Sequence, residues 1–177
     1  NHSFNDLNKA VELSLENNID IRPTWMPFSP WTEQNDLISI IKLIENYKLR
    51  ETVDPIQLTI KLLVPKNSLI LKRPEMKEYL LDYDPSSFSY AWKYKFPNID
   101  NIQNELFTYV LQHESENEYA QYLGLVDILE SHTNETLLNS ETRPLMSSLG
   151  LNPPFVPMFI TTSLTLVSTG CLETAPF

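Results

Sequence analysis

The chain has 177 residues, enough for one domain with a core of its own. Its net charge of −10 comes from 13 basic and 23 acidic residues, which argues against the basic face that a nucleic-acid partner needs. A single cysteine, Cys171, excludes a disulfide framework within the chain and any cluster or zinc site built from several of its own thiolates.

No apolar run approaches the roughly 20 residues needed to cross a bilayer, and no basic-then-apolar signal segment opens the chain. The expectation is a cytoplasmic protein with no membrane partner. The sequons at Asn1 and Asn134 are read as chance matches. Asn1, rather than Met, opens the chain, which fits a fragment or a processed product.

Ser3 followed by Asp6 resembles a capping box, and Leu7, Ala10, Val11 and Ser14 keep helical spacing, so residues 4–17 are predicted as an amphipathic helix. Residues 19–25 are β-rich. Pro23 cannot donate a ladder hydrogen bond, so it belongs near the strand's end or at a bulge. A second helix is predicted from Thr32 as N-cap, with Leu37, Ile40, Ile41, Ile44 and Tyr47 as its apolar stripe. In "DPIQLTIKLLVP", alternation of Ile56, Leu58, Ile60 and Leu62 with Gln57, Thr59, Lys61 and Leu63 predicts a strand over 56–64. Helix, strand, helix, strand with short links suggests parallel strands and an α/β layer or barrel.

Residues 66–98 change character. Aromatics crowd between Tyr83 and Tyr94, and prolines stand at 74, 85 and 97, so a long, partly ordered excursion is predicted with one short helix near 75–81. Helices are predicted over 99–113 and 116–131, with Gly124 a weak spot in the second. From Pro144 the chain is a proline-punctuated tail in which "TSLTLVSTG" could form a strand.

In parallel α/β architectures ligands bind beyond the carboxyl ends of the strands. Thr24 to Thr32 and Lys61 to Lys66 occupy that position. The first offers flat rings for an adenine or similar group, a helix N-terminus with free N–H groups, and prolines that preorganise the turn. Aromatics after a strand are more often core than ligand platform. Lys61, between apolar neighbours, either snorkels to solvent or meets an anion. Gln57 points to the same side and could bond a ligand or a neighbouring strand. His2, His113 and His132 lie in no metal-ligand spacing. His113 reads as a favourable cation at a helix end.

The stretch "RPTWMPFSPWT", followed by "VDPIQLTIKLLVP", resembles a group of radical S-adenosylmethionine proteins whose chains end in a Cys-Cys-Ala-Glu-Pro or Cys-selenocysteine-Ala-Glu-Pro tail. "NHSFNDLNKAVELSLENNIDI" and "DYDPSSFSYAWKY" resemble flanking segments of that family, so the likeness spans about residues 1–95. It implies the carboxyl-terminal part of a partial (β/α) TIM-like barrel with a helical, proline-rich extension. Residues 1–65 would be late β/α units, 66–143 a helical substrate-covering region and 144–177 a tail.

The family holds a 4Fe-4S cluster on a CxxxCxxC loop and cleaves S-adenosylmethionine to a 5′-deoxyadenosyl radical. The resemblance therefore implies both cofactors, a missing N-terminal cluster-binding portion as partner, and a small-molecule or peptide substrate. It makes Thr24, Phe28, Pro30 and Trp31 pocket lining, and Gln57 and Lys61 polar contacts. The three-cysteine motif is absent here, so the chain by itself is expected to be inactive. "TGCLETAPF" keeps a Cys, a Glu and an Ala-Pro pair of the family's ending but not its contiguous form, and no catalytic role passes to Cys171. The alternative is a non-enzymatic α/β interaction module that uses the Trp/Phe/Pro turn as a binding surface.

Overall fold

The computed structural model describes residues 3–138 and the backbone of 164–167, apart from the side chain of Phe4. Helix α1 runs Phe4–Glu16 and opens on a complete Ser3/Asp6 capping box, with the Ser3 N–H donating to Asp6 Oδ2 at 2.8 Å. Leu7 and Val11, one turn apart, are buried, and the chain reverses at Asn18 in the left-handed region (φ 54°). Strand β1, Pro23–Met26, begins on the proline, where a missing N–H costs least.

Helix α2, Gln34–Asn46, buries Leu37, Ile38, Ile40, Ile41, Leu43 and Ile44. Its N-cap is Glu33, one residue after the predicted Thr32. Thr32 instead turns its hydroxyl back into the preceding turn, as described below. Helix α3, Pro97–Gln112, opens on a proline in its first turn, and α4, Glu118–Thr133, is capped by Asn117, whose side chain accepts the Ala120 N–H at 2.8 Å. α4 ends at Asn134 in the left-handed region (φ 55°).

The predicted strand over 56–64 is a correction. Asp54 caps a 3-10 helix over Pro55–Thr59, accepting the Ile56 N–H at 3.2 Å through its side chain and the Gln57 N–H at 2.9 Å through its carbonyl. An Asp-Pro start sets up this tight turn, and the local signal outweighs the period-two alternation. Only Lys61 keeps a β-bridge, parallel, to Phe28. Past Pro65 two short 3-10 helices, Leu69–Lys72 and Pro74–Glu78, lead into an antiparallel hairpin of β2, Leu80–Asp84, and β3, Ser89–Trp92. The predicted excursion over 66–98, with one short helix near 75–81, is thus two 3-10 turns followed by a hairpin. β4, Leu164–Val167, pairs parallel with β1, with Pro23 opposite Leu164 and Met26 opposite Val167.

Among the described residues the fold is therefore mixed α/β: four α-helices, the β2–β3 hairpin and the β1–β4 pair. One apolar core, from Leu7 to Leu138, gathers α1, β1, α2, α3 and α4, and so crosses position 65 without a break. Buried polar side chains tie its edges. Gln103 donates to the Thr59 carbonyl at 3.0 Å, and Tyr122 donates to Glu45 at 2.8 Å while Arg50 pairs with the same carboxylate at 2.6 Å. Among the described residues no helix is long and apolar enough to cross a membrane.

Helices α3 and α4 cross closely at Gly124, where a Cβ would overlap the phenol of Tyr109. Gly124→Ala is therefore expected to destabilise the fold by about 1–3 kcal/mol. This reverses the gain of about 1 kcal/mol that alanine brings to a helix. Urea unfolding measures it, and combining the change with Tyr109→Ala should remove the added penalty.

Candidate functional site

The turn after β1 is built from the inside out. Phe28, fully buried, donates its N–H to the Ile60 carbonyl (3.3 Å) and accepts the Leu62 N–H (2.7 Å), so two separate segments run side by side and parallel at this point. The Thr32 hydroxyl donates to the Pro27 carbonyl at 2.8 Å and accepts the Ser29 N–H at 2.8 Å, closing the turn on itself. The Lys95 N–H donates to the Pro30 carbonyl at 2.8 Å, which brings the segment after β3 onto the same rim.

β3 and the residues just after it supply the rings. Tyr90, Trp92 and Tyr94 alternate with Ala91, Lys93 and Lys95, and the first set turns inward while the second faces solvent. Trp92 donates its ring N–H to the Leu62 carbonyl at 2.8 Å. The Trp92 and Tyr94 rings meet edge to face at 4.8 Å, and Tyr94 meets Phe28 in the same way at 6.4 Å. The Lys61 ammonium lies 5.0 Å from the Tyr94 centroid and 5.5 Å from that of Trp92. It also pairs with Asp100 at 3.3 Å, in the first turn of α3, where a carboxylate favours the helix dipole. The Lys61 and Asp100 side chains are 40% and 50% exposed, so water reaches both.

Two buried donors near this rim have no partner: the Tyr94 hydroxyl and the Trp25 ring N–H. Burial, then the nearby charge of Asp100, holds the Tyr94 phenol well above the ordinary tyrosine range.

The six predicted site residues divide. Lys61 and Phe28 come together at the bridge, and Pro30 is buried beside them under Lys95. Trp31 is half-buried with its ring edge-on to Tyr79 at 6.2 Å. Thr24 lies within β1, opposite Thr165, and Gln57 sits half-buried in the 3-10 helix. Trp92, Tyr94 and Asp100 were not singled out as site residues. The Tyr-x-Trp-x-Tyr alternation was the signal that marked the first two, whereas nothing local marks Asp100.

His113 and His132 are structural. His113 caps the carboxyl end of α3, with Nδ1 2.8 Å from the Tyr109 carbonyl and its ring stacked on Tyr109, while His132 meets Glu105 at 2.7 Å. His2 and Cys171 lie outside the described residues. A shallow open groove on the α3–α4 face, lined by Asn104, Glu105, Thr108, Tyr109, Gln112 and Ile128, shares no residue with the Lys61 rim. No three His, Cys, Asp or Glu side chains among the described residues come together as a metal site.

Comparison with protein-family models, with curated proteins and with solved structures finds no match.

Two expectations test the rim. Thr32→Val should cost about 1–3 kcal/mol by stranding the Pro27 carbonyl and the Ser29 N–H, with Thr32→Ser recovering most of it in urea titrations. Tyr94→Phe should be neutral or stabilising near pH 7, because the hydroxyl it removes is unpartnered. It should also flatten alkaline unfolding. The raised folded-state value makes the native form hold its proton while the unfolded chain releases one. Stability is therefore intact below about pH 10 and falls above it, by up to about 1.4 kcal/mol per pH unit per buried tyrosine. An unchanged alkaline slope in Tyr94→Phe would contradict this.

Proposed function

We propose that this chain is the carboxyl-terminal portion of a radical S-adenosylmethionine enzyme. In this reading residues 1–65 are late β/α units of a partial barrel, 66–143 cover the substrate and 144–177 form a tail. The observation that carries it is the isolated parallel bridge between Phe28 and Lys61, which sets the turn after β1 beside the chain leaving the Pro55–Thr59 3-10 helix, with one ammonium at the rim of that turn. Ligands of parallel α/β proteins bind at such rims. The family likeness of "RPTWMPFSPWT" and "VDPIQLTIKLLVP" falls on these same two segments.

The residues here do not fit the 4Fe-4S cluster, since one cysteine cannot supply three thiolates. Cluster ligation is assigned to the missing N-terminal portion. An adenosyl ligand suits the rim better, with half-buried rings at Trp31 and Trp92 and the Lys61 ammonium. This chain's part in 5′-deoxyadenosyl-radical chemistry is then to hold the cofactor and substrate and to keep water from them.

A second reading has its own support. Pro27, Phe28, Ser29, Pro30 and Thr32 are all buried, so the turn is largely consumed by the fold. That suits a non-enzymatic interaction module, whose binding surface would be reduced to Trp31 and its neighbours.

Mixing the chain with the cluster-bearing portion and assaying 5′-deoxyadenosine decides between them. The enzyme reading expects production well above that of the front portion alone, and a loss of at least tenfold with Lys61→Gln, about 1.4 kcal/mol. No gain on mixing would defeat it.

A further inference from the structure

We infer that the α3–α4 face is a docking surface for a cationic amphipathic helix of a partner protein, seated in the groove between the two helices and on the adjoining Phe107–Leu111 pair. This face is separate from the Lys61 rim, and the inference stands whether or not the enzyme reading holds.

The apolar part comes from helix geometry. α3 buries Ile99, Ile102, Leu106 and Val110 in the core. Phe107 and Leu111, one turn apart, fall off that stripe and stay 42% and 55% exposed. Single exposed apolar residues are ordinary. These two are neighbours, and Leu111 shares a helical row with Asn104 and Thr108, which line the groove. Across the groove α4 contributes Ile128, which lies outside that helix's buried set and is only partly buried.

The shape selects a helix over a small molecule. The groove holds about 480 Å³ and runs along α3 from Asn104 to Gln112, roughly 12 Å or two turns. Small ligands are taken by concave pockets that enclose most of their surface. An open trough between two helices instead takes the apolar side chains of a third.

The charge selects its sign. Residues 97–138 carry eight of the chain's 23 acidic residues and none of its 13 lysines and arginines. Three of the eight are paired elsewhere, Asp100 with Lys61, Glu118 with Arg22 and Glu135 with Lys42. Three others stand at the groove. Glu105 lines it, 2.7 Å from His132, and the charges of Glu116 and Asp127, after burial, hold the Tyr109 phenol above its ordinary range. A helix with lysine or arginine beside its apolar face complements these carboxylates. The net charge of −10 draws such a segment at long range and repels a second copy of the chain. The chain's own residues 144–177 hold no lysine or arginine, so they do not match the face.

The test is fluorescence anisotropy of the 177-residue chain with a labelled lysine–leucine peptide of about 18 residues, five turns, whose leucines fill one helical face. A scrambled peptide of the same composition and a glutamate–leucine peptide of the same pattern are the controls. The patterned cationic peptide should bind at least about tenfold tighter than either control. Phe107→Ser with Leu111→Ser should weaken it by about tenfold or more. Leu69→Ser with Phe88→Ser alters two side chains that are more exposed, at 75% and 74%, and should leave binding unchanged. Glu116→Gln should weaken it about two- to fivefold at low salt, and by less as salt is added. Circular dichroism confirms that each variant keeps its helices. No binding of the patterned peptide overturns the proposal. Equal binding of the scrambled peptide, or binding indifferent to positions 107 and 111, reduces the effect to bulk charge and also overturns it. A dimer in sedimentation that is lost with Phe107→Ser and Leu111→Ser gives the face to a second copy, which overturns the cationic partner as well.

Discussion

The two backbone hydrogen bonds that Phe28 makes with Ile60 and Leu62 are the constraint on which the rest of the rim depends. They are the point at which the turn after β1 and the chain leaving the Pro55–Thr59 3-10 helix touch in register. Without them Lys61 would have no fixed relation to the turn after β1, and the rings of Trp92 and Tyr94 would have nothing to close over. Each such bond contributes only about 0.5–1.5 kcal/mol net. Their effect is out of proportion because Phe28 is itself fully buried, so that a slip of the bridge would also open the core around Tyr94. The bridge is therefore held by packing, and the packing by the bridge.

Much of the helical fold was legible, and the reason is specific. Three of the four described helix starts carry their own chemistry: Ser3 with Asp6, Asn117, and Pro97 at a first turn. Each stop at Asn18 or Asn134 uses an asparagine in the left-handed region. What misled was Ile56–Leu62, where a real alternation competes with an Asp-Pro start that sits only one turn away. Sequence periodicity averages over a segment, while a cap acts at a point, and here the point won. The hairpin of β2 and β3 was hidden for a different reason. Its turn places Phe88 at positive φ, 54°, where a glycine or asparagine signal would normally announce a hairpin. At the site, Lys61 was visible as the odd residue in an apolar run, but its counter-ion arrives from 39 positions away on α3. No local pattern carries such a pairing.

The interior charges and the rim charges are handled in opposite ways. Glu45 and Arg50 are mostly buried, at 13% and 20% side-chain exposure, and Glu45 is also bonded by Tyr122. Removing one member would leave a charge without compensation, which makes that network costly to open. Lys61 and Asp100 face water and share no third hydrogen-bonding group. One pair is built to stay and the other can exchange at small cost. A chain that needed Lys61 merely neutralised for stability had the first solution available and did not use it there.

The scarcity of glycine bears on the same point. Of the three glycines only Gly124 lies among the described residues, and it serves helix packing. The left-handed positions fall to Asn18, Lys48, Asn67, Phe88 and Asn134, and the prolines at 23, 55, 74 and 97 each open an element. A backbone made this way has few soft joints, since proline fixes φ and lowers the entropy of the unfolded chain. Around Lys61 it is further tied by the bonds from Trp92 and Lys95. Lys61 stays over the Trp92 and Tyr94 rings, and the Asp100 side chain, joined to it by one exposed ion pair, is the part of the rim this backbone leaves easiest to move.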